Sequence, residues 1–100
     1  MAITPLNPEQ REEALHELSS WTYDPERKAL FREIVLDDFV AAFALMTRIA
    51  LEAEKADHHP EWSNVYNRLS IWLTTHDAGD VSARDVSLAR LIDRFALSPS

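Results

Sequence analysis

The spacing of apolar residues along the chain predicts three helices. The first begins after Asn7, a capping residue, with Pro8 at the first helical position and Gln10 where a capping box places its reciprocal partner. The longest runs from Asp38 to about Asp57, where apolar side chains recur every three or four residues. The last begins at Ser82 and repeats this spacing. Each helix therefore has one apolar face that has to pack against another part of the fold.

Segments rich in aromatic and aliphatic residues predict two β-hairpins, one on each side of the longest helix. Their strands are Trp21–Asp24 and Ala29–Val35, then Trp62–Tyr66 and Leu69–His76. The element order α-β-β-α-β-β-α indicates an α+β domain with one four-stranded antiparallel sheet and helices on one face. The other face of the sheet, with Tyr66 and Trp72, and the sheet edges stay partly uncovered, so we expect a homo-oligomer.

The composition restricts the class of protein and its partners. One hundred residues suffice for a single domain, 1–100, and a hydrophobic share of 46% is ordinary for a globular protein. No apolar run is long enough for a membrane span, and the first residues lack the features of a signal peptide. The absence of cysteine excludes disulfides, thiolate metal sites and cysteine nucleophiles. A net charge of −7 disfavours nucleic acid, so we expect a cytoplasmic protein that handles a small molecule or a protein partner.

The polar stretch "EKADHHP", residues 54–60, ends the longest predicted helix and contains two adjacent histidines. Glu54 and His58 are four residues apart, so on a helix they share one face and the carboxylate can orient the imidazole. His59 has to point elsewhere, and His76 is expected at the end of a strand. Because a strand end and a helix end can converge, the pattern predicts a site rich in histidine beside the sheet.

The same polar residues also fit ordinary structural roles or a metal site. The carboxylate and the histidines can form a solvated pair at a negative helix end, Asp85 can cap the last helix, and Tyr66 can pack between strands. Three histidines and a carboxylate can also bind zinc or iron, but adjacent histidines cannot share one helical face. No glycine-flanked serine indicates a nucleophile. The pattern therefore favours acid–base chemistry without a metal, since imidazole titrates near neutral pH.

These polar residues belong to one ordered pattern that reaches into the last predicted helix. It consists of Glu54, His58-His59-Pro60, Tyr66, His76 and Asp85, within the phrases "HHPEWSNVYN", "LTTHD" and "SARDVSLARLID". The pattern resembles that of the pterin-4a-carbinolamine dehydratases, also called the dimerization cofactor family. The resemblance covers nearly the whole chain, and its specific part lies between Glu54 and Asp93. The resemblance implies a small α+β fold that assembles into homodimers and often homotetramers, with no metal and no organic cofactor of its own.

The resemblance also implies an activity, the dehydration of 4a-hydroxytetrahydropterin (4a-hydroxytetrahydrobiopterin) to quinonoid dihydropterin. This substrate arises when an aromatic amino acid hydroxylase uses a tetrahydropterin, so the enzyme serves tetrahydropterin recycling. Animal members of the family also stabilise dimers of a homeodomain transcription factor. A protein-binding regulatory module is therefore the alternative function, and the acidic composition argues against direct contact with DNA.

The same resemblance implies roles for the histidines. His58 and His76 are expected to form the acid–base pair. His59 is expected to bind the pterin and to share in proton transfer. Glu54 is expected to orient and electrostatically tune His58.

The remaining residues of the pattern have less defined roles. Asp85 and Tyr66, together with Glu54, are expected to support substrate binding. The family often has two glycines in the turn after the third histidine, where this chain has Gly79 and Asp80. Aspartate tolerates left-handed backbone better than most residues, so we expect this turn to keep its shape.

Overall fold

The computed structural model describes residues 3–97 and confirms the predicted α+β architecture. Within this range three helices and four strands follow one another: α1 Pro8–Glu17, β1 Thr22–Asp24, β2 Ala29–Val35, α2 Phe39–Ala56, β3 Glu61–Val65, β4 Arg68–Leu73 and α3 Ala83–Leu97. A short 3-10 helix, His76–Ala78, lies between β4 and α3. None of the helices in residues 3–97 is long and apolar enough to cross a membrane.

The strands form one antiparallel sheet in the order β1-β2-β4-β3. Each hairpin pairs its own two strands, and β2 pairs with β4 to join the hairpins. Leu30 opposite Leu73 and Ile34 opposite Leu69 are buried on the side of the helices. This order leaves β3 at a sheet edge, directly after the loop that contains the adjacent histidines.

All three helices lie on one face of the sheet and enclose the core with it, as the apolar patterns predict. The fully buried large apolar side chains come from α2, α3, the strands and the segment before α3: Leu30, Ile49, Leu69, Ile71, Leu73, Val81 and Ile92. An ion pair between Arg32 of β2 and Asp93 of α3 adds a polar link across this layer. Asp93 also accepts a hydrogen bond of 2.8 Å from Nε1 of Trp21, the residue before β1, so one carboxylate oxygen ties α3 both to β2 and to the start of β1.

The capping signal at the first helix is confirmed. The Asn7 side chain accepts a hydrogen bond from the Gln10 backbone at 2.8 Å, and Gln10 Oε1 accepts from the Asn7 backbone at 2.9 Å. Two backbone donors at the start of α1 are thereby satisfied without tertiary contacts, which is why this boundary is readable from sequence.

Several predicted boundaries are corrected by the structure. The longest helix ends at Ala56, because Asp57 adopts a left-handed backbone with φ 51° and caps the helix. The third strand ends at Val65, and Tyr66 lies in the hairpin turn with φ 53°. The fourth strand ends at Leu73 instead of His76, because the chain turns into the 3-10 helix. In these three cases a helix or strand was extended into a cap or turn. The strands β3 and β4 also begin one residue earlier than predicted, at Glu61 and Arg68, and β1 begins one residue later, at Thr22.

Candidate active site

A cleft of about 360 Å³ lies where the α2–β3 loop, the start of β3, the segment after β4 and the start of α3 meet. Three of the four histidines of the chain line it. The lining residues are Asp57, His58, His59, Pro60, Glu61, Thr74, Thr75, His76, Asp77 and Arg84. The helix end and the strand end that the sequence indicates therefore come together in space, which makes this cleft the candidate site.

His58 is the most deeply placed of the three histidines, with 10% of its side chain exposed. Its Nε2 lies 2.6 Å from Oδ1 of Asp85, in the first turn of α3. Because a carboxylate only accepts, Nε2 donates this hydrogen bond, and Nδ1 is left as the nitrogen that can exchange a proton. Asp85 thus fixes both the orientation and the tautomer of His58.

A buried hydrogen-bond chain holds Asp85 in turn. Thr75 Oγ1 donates to Asp85 Oδ2 at 2.7 Å, and the Ser82 backbone donates to the same oxygen at 2.9 Å. Since the Thr75 proton is used in this way, the Ser82 hydroxyl donates to Thr75 Oγ1 at 2.6 Å. Ser82 Oγ accepts from the Arg84 backbone at 3.2 Å. Every member of the chain has a partner, so the carboxylate that orients His58 is rigidly placed.

The contact of Ser82 with Asp85 is also the capping interaction of α3, in which the third helical residue reaches back to the cap. The sequence indicated both a capping role and a site role for Asp85. The structure shows one carboxylate oxygen, Oδ2, at the cap and the other, Oδ1, at His58. A capping acid and a residue that orients a histidine are here the same side chain.

The expected pairing of Glu54 with His58 is wrong. Glu54 Oε1 accepts a hydrogen bond from His59 Nε2 at 2.8 Å, and His58 bonds Asp85 instead. The reason is the left-handed cap at Asp57, which takes the backbone out of the helix before His58. Helical four-residue spacing therefore does not apply to this pair. Both members of the Glu54–His59 pair are exposed, at 81% and 57% of the side chain.

His76 also has a carboxylate neighbour. Its Nε2 lies 3.4 Å from Oε2 of Glu61, the first residue of β3. His76 is the most exposed of the three histidines, with 84% of its side chain open to solvent. Each imidazole of the cleft therefore stands beside a different carboxylate, on a different element.

Tyr66 does not line the cleft. It lies in the turn between β3 and β4 and is 62% exposed. Glu61, at the other end of β3, is five residues away, or roughly 16 Å at the rise of a strand. Within the single chain, Tyr66 therefore lies apart from the cleft and its histidines.

The turn after His76 needs left-handed backbone at Gly79, with φ 72°, and not at Asp80. The Asp80 carboxylate instead accepts hydrogen bonds from Tyr23 Oη at 3.0 Å and from the Val81 backbone at 2.7 Å. The Asp80 carbonyl accepts from the Thr75 backbone at 3.2 Å, which closes the loop. The departure from two glycines therefore adds a tie between this loop and β1.

Sequence reasoning missed Glu61, Thr75 and Arg84, which line the cleft, and Ser82, which belongs to the buried hydrogen-bond chain behind it. Ser82 carried a signal, since it precedes Asp85 at the spacing of a capping box. The other three had none, because their relevance depends on which elements become neighbours. Among residues 3–97, no group of three or more His, Asp or Glu has an arrangement suited to hold a metal ion.

A second cavity, of about 440 Å³, lies between α2 and α3 and shares His58 and Arg84 with the cleft. Its floor is apolar, with Leu88 and Leu91, and it contains one of the three histidines. The cleft is lined by all three imidazoles and by Glu61, the carboxylate beside His76, so we assign the chemistry to the cleft although the second cavity is larger.

The sequence is similar to proteins of one family over nearly its whole length. Residues 4–95 match the family model described as pterin 4 alpha carbinolamine dehydratase. A protein of Rhizorhabdus wittichii named "Putative pterin-4-alpha-carbinolamine dehydratase" is 57% identical over 96 residues, covering 96% of this chain and 99% of its own. A protein of Rhodopseudomonas palustris with the same name is 52% identical, covering 94% and 95% of the two chains.

A solved structure has the same fold. It is the "transcriptional coactivator/pterin dehydratase" from Brucella melitensis, with a TM-score of 0.90 and 40% identity over 93% of this chain and 99% of that one. The family model matches nearly the entire sequence, and relatives of nearly equal length are more than half identical to it. The chain belongs to the pterin-4-alpha-carbinolamine dehydratase family.

Proposed function

We propose that this chain dehydrates 4a-hydroxytetrahydropterin to quinonoid dihydropterin by acid–base catalysis with histidines. In this reaction the bond from C4a to the hydroxyl oxygen breaks, N5 loses its proton, and a C4a=N5 double bond forms. The hydroxyl leaves as water after it receives a proton, so no oxidant or reductant is needed. The observation that supports the proposal is the convergence of His58, His59 and His76 on one cleft, each beside a carboxylate.

His58 is suited to the proton transfer at N5. Its Nε2 proton is held by Asp85, which leaves the lone pair of Nδ1 to accept a proton. The neighbouring carboxylate then stabilises the imidazolium that forms. His76 is suited to deliver the proton to the departing hydroxyl, since its exposed ring can be reprotonated from solvent.

His59 has the role of binding the substrate at the mouth of the cleft and sharing in proton transfer. Its ring is oriented by Glu54 from the last turn of α2. Glu54 therefore acts on His59, and Asp85 takes the part that the sequence interpretation gave to Glu54. Acid–base assistance of this kind typically accelerates a reaction by about 10²- to 10⁴-fold.

The test is the rate at which 4a-hydroxytetrahydropterin disappears, when it is generated in situ by a phenylalanine hydroxylase and followed by ultraviolet absorbance. We expect wild type to accelerate this step and His58→Ala and His76→Ala to lose most of the acceleration, by about 10²-fold. His16→Ala is the matched control, because His16 is an exposed residue of α1 outside the cleft. Treatment with a chelator should change nothing. Failure of folded wild type to accelerate the step would refute the proposal.

In the cell this activity would serve tetrahydropterin recycling for an aromatic amino acid hydroxylase, in the cytoplasm and as a homodimer or homotetramer. The exposed apolar residues of α2 support the assembly, since Val40, Phe43 and Leu51 are 74%, 57% and 62% exposed in the single chain.

A protein-binding, regulatory role is the second candidate. The Brucella melitensis relative is described both as a transcriptional coactivator and as a pterin dehydratase, and the apolar surface of α2 can accept a protein. The His58→Ala variant separates the two functions, because it removes proton transfer and leaves the α2 surface unchanged. Retained partner binding without turnover would identify two independent activities.

A further inference from the structure

Glu61 has no role in the mechanism above, yet it occupies a defined place in the cleft. It is the first residue of β3, opposite Trp72 of β4 in the antiparallel register, and its carboxylate faces His76 at 3.4 Å. Its side chain is 48% exposed. Strand pairing fixes the backbone, so the carboxylate stands at a set position on the cleft wall.

Stability does not account for this carboxylate. His76 and Glu61 are both substantially exposed, and exposed ion pairs contribute little to folding. The carboxylates of Glu54 and Asp85 are already engaged by His59 and by His58 with its supporting chain. The contact of 3.4 Å with His76 is long for a charge-assisted hydrogen bond, so the Glu61 oxygens can accept from a ligand.

The two other acidic residues of the cleft wall are placed differently. Asp57 lies on the left-handed cap of α2, and Asp77 lies on the 3-10 helix. Neither belongs to the sheet, whereas Glu61 does. A group that orients a ring to within a fraction of an ångström is better carried by a strand than by a turn.

The proposed substrate offers a matching group. One edge of a pterin carries the N3–H and the 2-amino group side by side, and these two donors fit the two oxygens of a carboxylate. Bidentate bonds between adjacent N–H donors and a carboxylate are strong and directional. We propose that Glu61 binds this edge of the pterin and is the residue that selects a 2-amino-4-oxopteridine. The inference rests on the proposed function, because it assumes that the cleft holds a pterin.

This contact would also orient the reaction. In the pyrimidine ring C2 lies directly opposite C4a, so a carboxylate that holds the 2-amino edge points C4a away from β3. The His58 imidazole, held by Asp85 of α3, then faces the C4a–N5 bond, and His76, whose 3.4 Å contact with Glu61 is given up to the pterin, would be free to turn toward the hydroxyl at C4a. Recognition and proton transfer would thus use separate residues on separate elements.

The test compares two ligands that differ at one atom, 6-methyl-7,8-dihydropterin and 6-methyl-7,8-dihydrolumazine. The lumazine has a carbonyl oxygen in place of the 2-amino group, so it presents an acceptor to Glu61. Binding is measured by fluorescence titration, which needs no turnover. We expect wild type to prefer the pterin by roughly tenfold to a hundredfold, the range of a charge-assisted hydrogen bond.

The variant Glu61→Gln should lose this preference, because the amide of glutamine can donate to the lumazine carbonyl and holds the pterin less well. Glu33→Gln is the matched control, since Glu33 is an exposed strand glutamate of β2 outside the cleft. It should keep the wild-type preference. Thermal denaturation of both variants verifies that they are folded.

The outcomes distinguish a failure of the role given to Glu61 from a failure of the proposed function. A wild-type preference that survives in Glu61→Gln would overturn the inference, even if that variant dehydrates slowly, because Glu61 would then only orient His76. Wild type that accelerates dehydration but binds both ligands equally would overturn it as well, and would leave the proposed function standing. If wild type binds neither ligand and accelerates nothing, the proposed function itself fails.

Discussion

His58 and Asp85 are 27 residues apart in the chain and 2.6 Å apart in the fold, and this contact determines what the imidazole can do. Asp85 is completely buried and fully hydrogen-bonded, through Thr75, Ser82 and His58. A buried acceptor with this many donors has one stable orientation, so the His58 tautomer is selected before substrate arrives.

Replacing Asp85 by Asn tests that selection. The asparagine oxygen can still accept at the helix cap, which turns the amide nitrogen toward His58 and places the imidazole proton on Nδ1. We expect kcat to fall by about 10²-fold or more with a smaller change in KM. Nitrogen-15 chemical shifts of the His58 ring, measured by NMR, report the tautomer directly.

The control for this variant is Asp38→Asn. Asp38 caps α2 by accepting from the Ala41 backbone at 2.8 Å, and it lies outside the cleft. Both substitutions alter a capping carboxylate, so a general effect of weaker capping would appear in each. Equal turnover in the two variants would contradict the role assigned to Asp85.

At the same scale, the polar pattern identified the three histidines of the cleft and Asp85, but it assigned the carboxylates wrongly. Glu54 and His58 have the right spacing for a helix, and the helix ends too early for that spacing to hold. Asp57 caps α2 in left-handed backbone, which aspartate adopts through local forces that spacing does not reveal. The sequence therefore indicated the histidines and Asp85, whereas their pairing with carboxylates depended on the fold.

At the scale of elements, the segment from Thr75 to Ser82 holds the site together. It carries His76, supplies Thr75 and Ser82 to the buried chain, and is closed by the bridge between Thr75 and Asp80. Tyr23 of β1 ties it to the sheet through the Asp80 carboxylate. A segment that a sequence pattern reads as a strand end and a loop is thus a compact structural unit.

The hydrogen bond between Tyr23 and Asp80 makes the free energy of unfolding depend on pH in the alkaline range. Burial raises the pKa of the Tyr23 phenol above its ordinary value of 10.0, and the Asp80 carboxylate raises it further, since both favour the neutral phenol. The neutral Tyr23 phenol therefore stabilises the folded state fully below about pH 10, and this stabilisation is lost as pH rises through the pKa of the phenol in the folded state. We expect the free energy of unfolding in urea to fall more steeply above about pH 10 in wild type than in Tyr23→Phe.

Near pH 8 the same Tyr23→Phe variant should be less stable than wild type by about 1 kcal/mol, the contribution of one hydrogen bond. Tyr66→Phe is the matched control, because Tyr66 is exposed and has no comparable acceptor among the contacts of residues 3–97. If the free energy of unfolding changed with pH in the same way in wild type and Tyr23→Phe, the contact of Tyr23 with Asp80 would not cause the alkaline loss of stability.

At the scale of the whole molecule, the single chain leaves an apolar surface on the solvent side of α2, formed by Phe39, Val40, Phe43 and Leu51. The α2 residues on the opposite side, including Ile49 and Ala53, are fully buried in the core. A helix that is apolar on both sides is usually buried on both. The sequence interpretation placed assembly at the sheet, and the α2 surface is a further candidate for the contact between copies.

We expect Phe43→Lys to weaken self-association by at least about tenfold in Kd, because a buried aromatic residue commonly dominates an interface. Sedimentation velocity at several protein concentrations measures the change. Leu97→Lys is the control, since Leu97 is an exposed apolar residue at the end of α3 and outside this surface. If wild type sediments as a monomer at all concentrations, the protein does not self-associate. If Phe43→Lys self-associates with the same Kd as wild type, the α2 surface is not the contact between copies.

Patterns within the sequence were sufficient to predict the helices and strands, their order along the chain, and the histidines that can take part in acid–base chemistry. Helix caps such as that of Asn7, the three- and four-residue spacing in α2 and the alternation in β4 arise from interactions within a few residues. The core residues were predictable from the same patterns, because the apolar faces of helices and strands pack against one another. Family membership was readable for a similar reason, since the polar pattern is an ordered set of residue types along the chain.

Which side chains meet depends on the three-dimensional arrangement of the elements. Asp85 reaches His58, Glu61 reaches His76 and Asp80 reaches Tyr23 because the sheet order β1-β2-β4-β3 and the docking of α3 place distant segments side by side. Such contacts depend on helix ends and turn angles, where a shift of one residue redirects a side chain by about 100° on a helix. Local spacing cannot resolve a difference of that size, so the charge pairs of the site are a property of the fold.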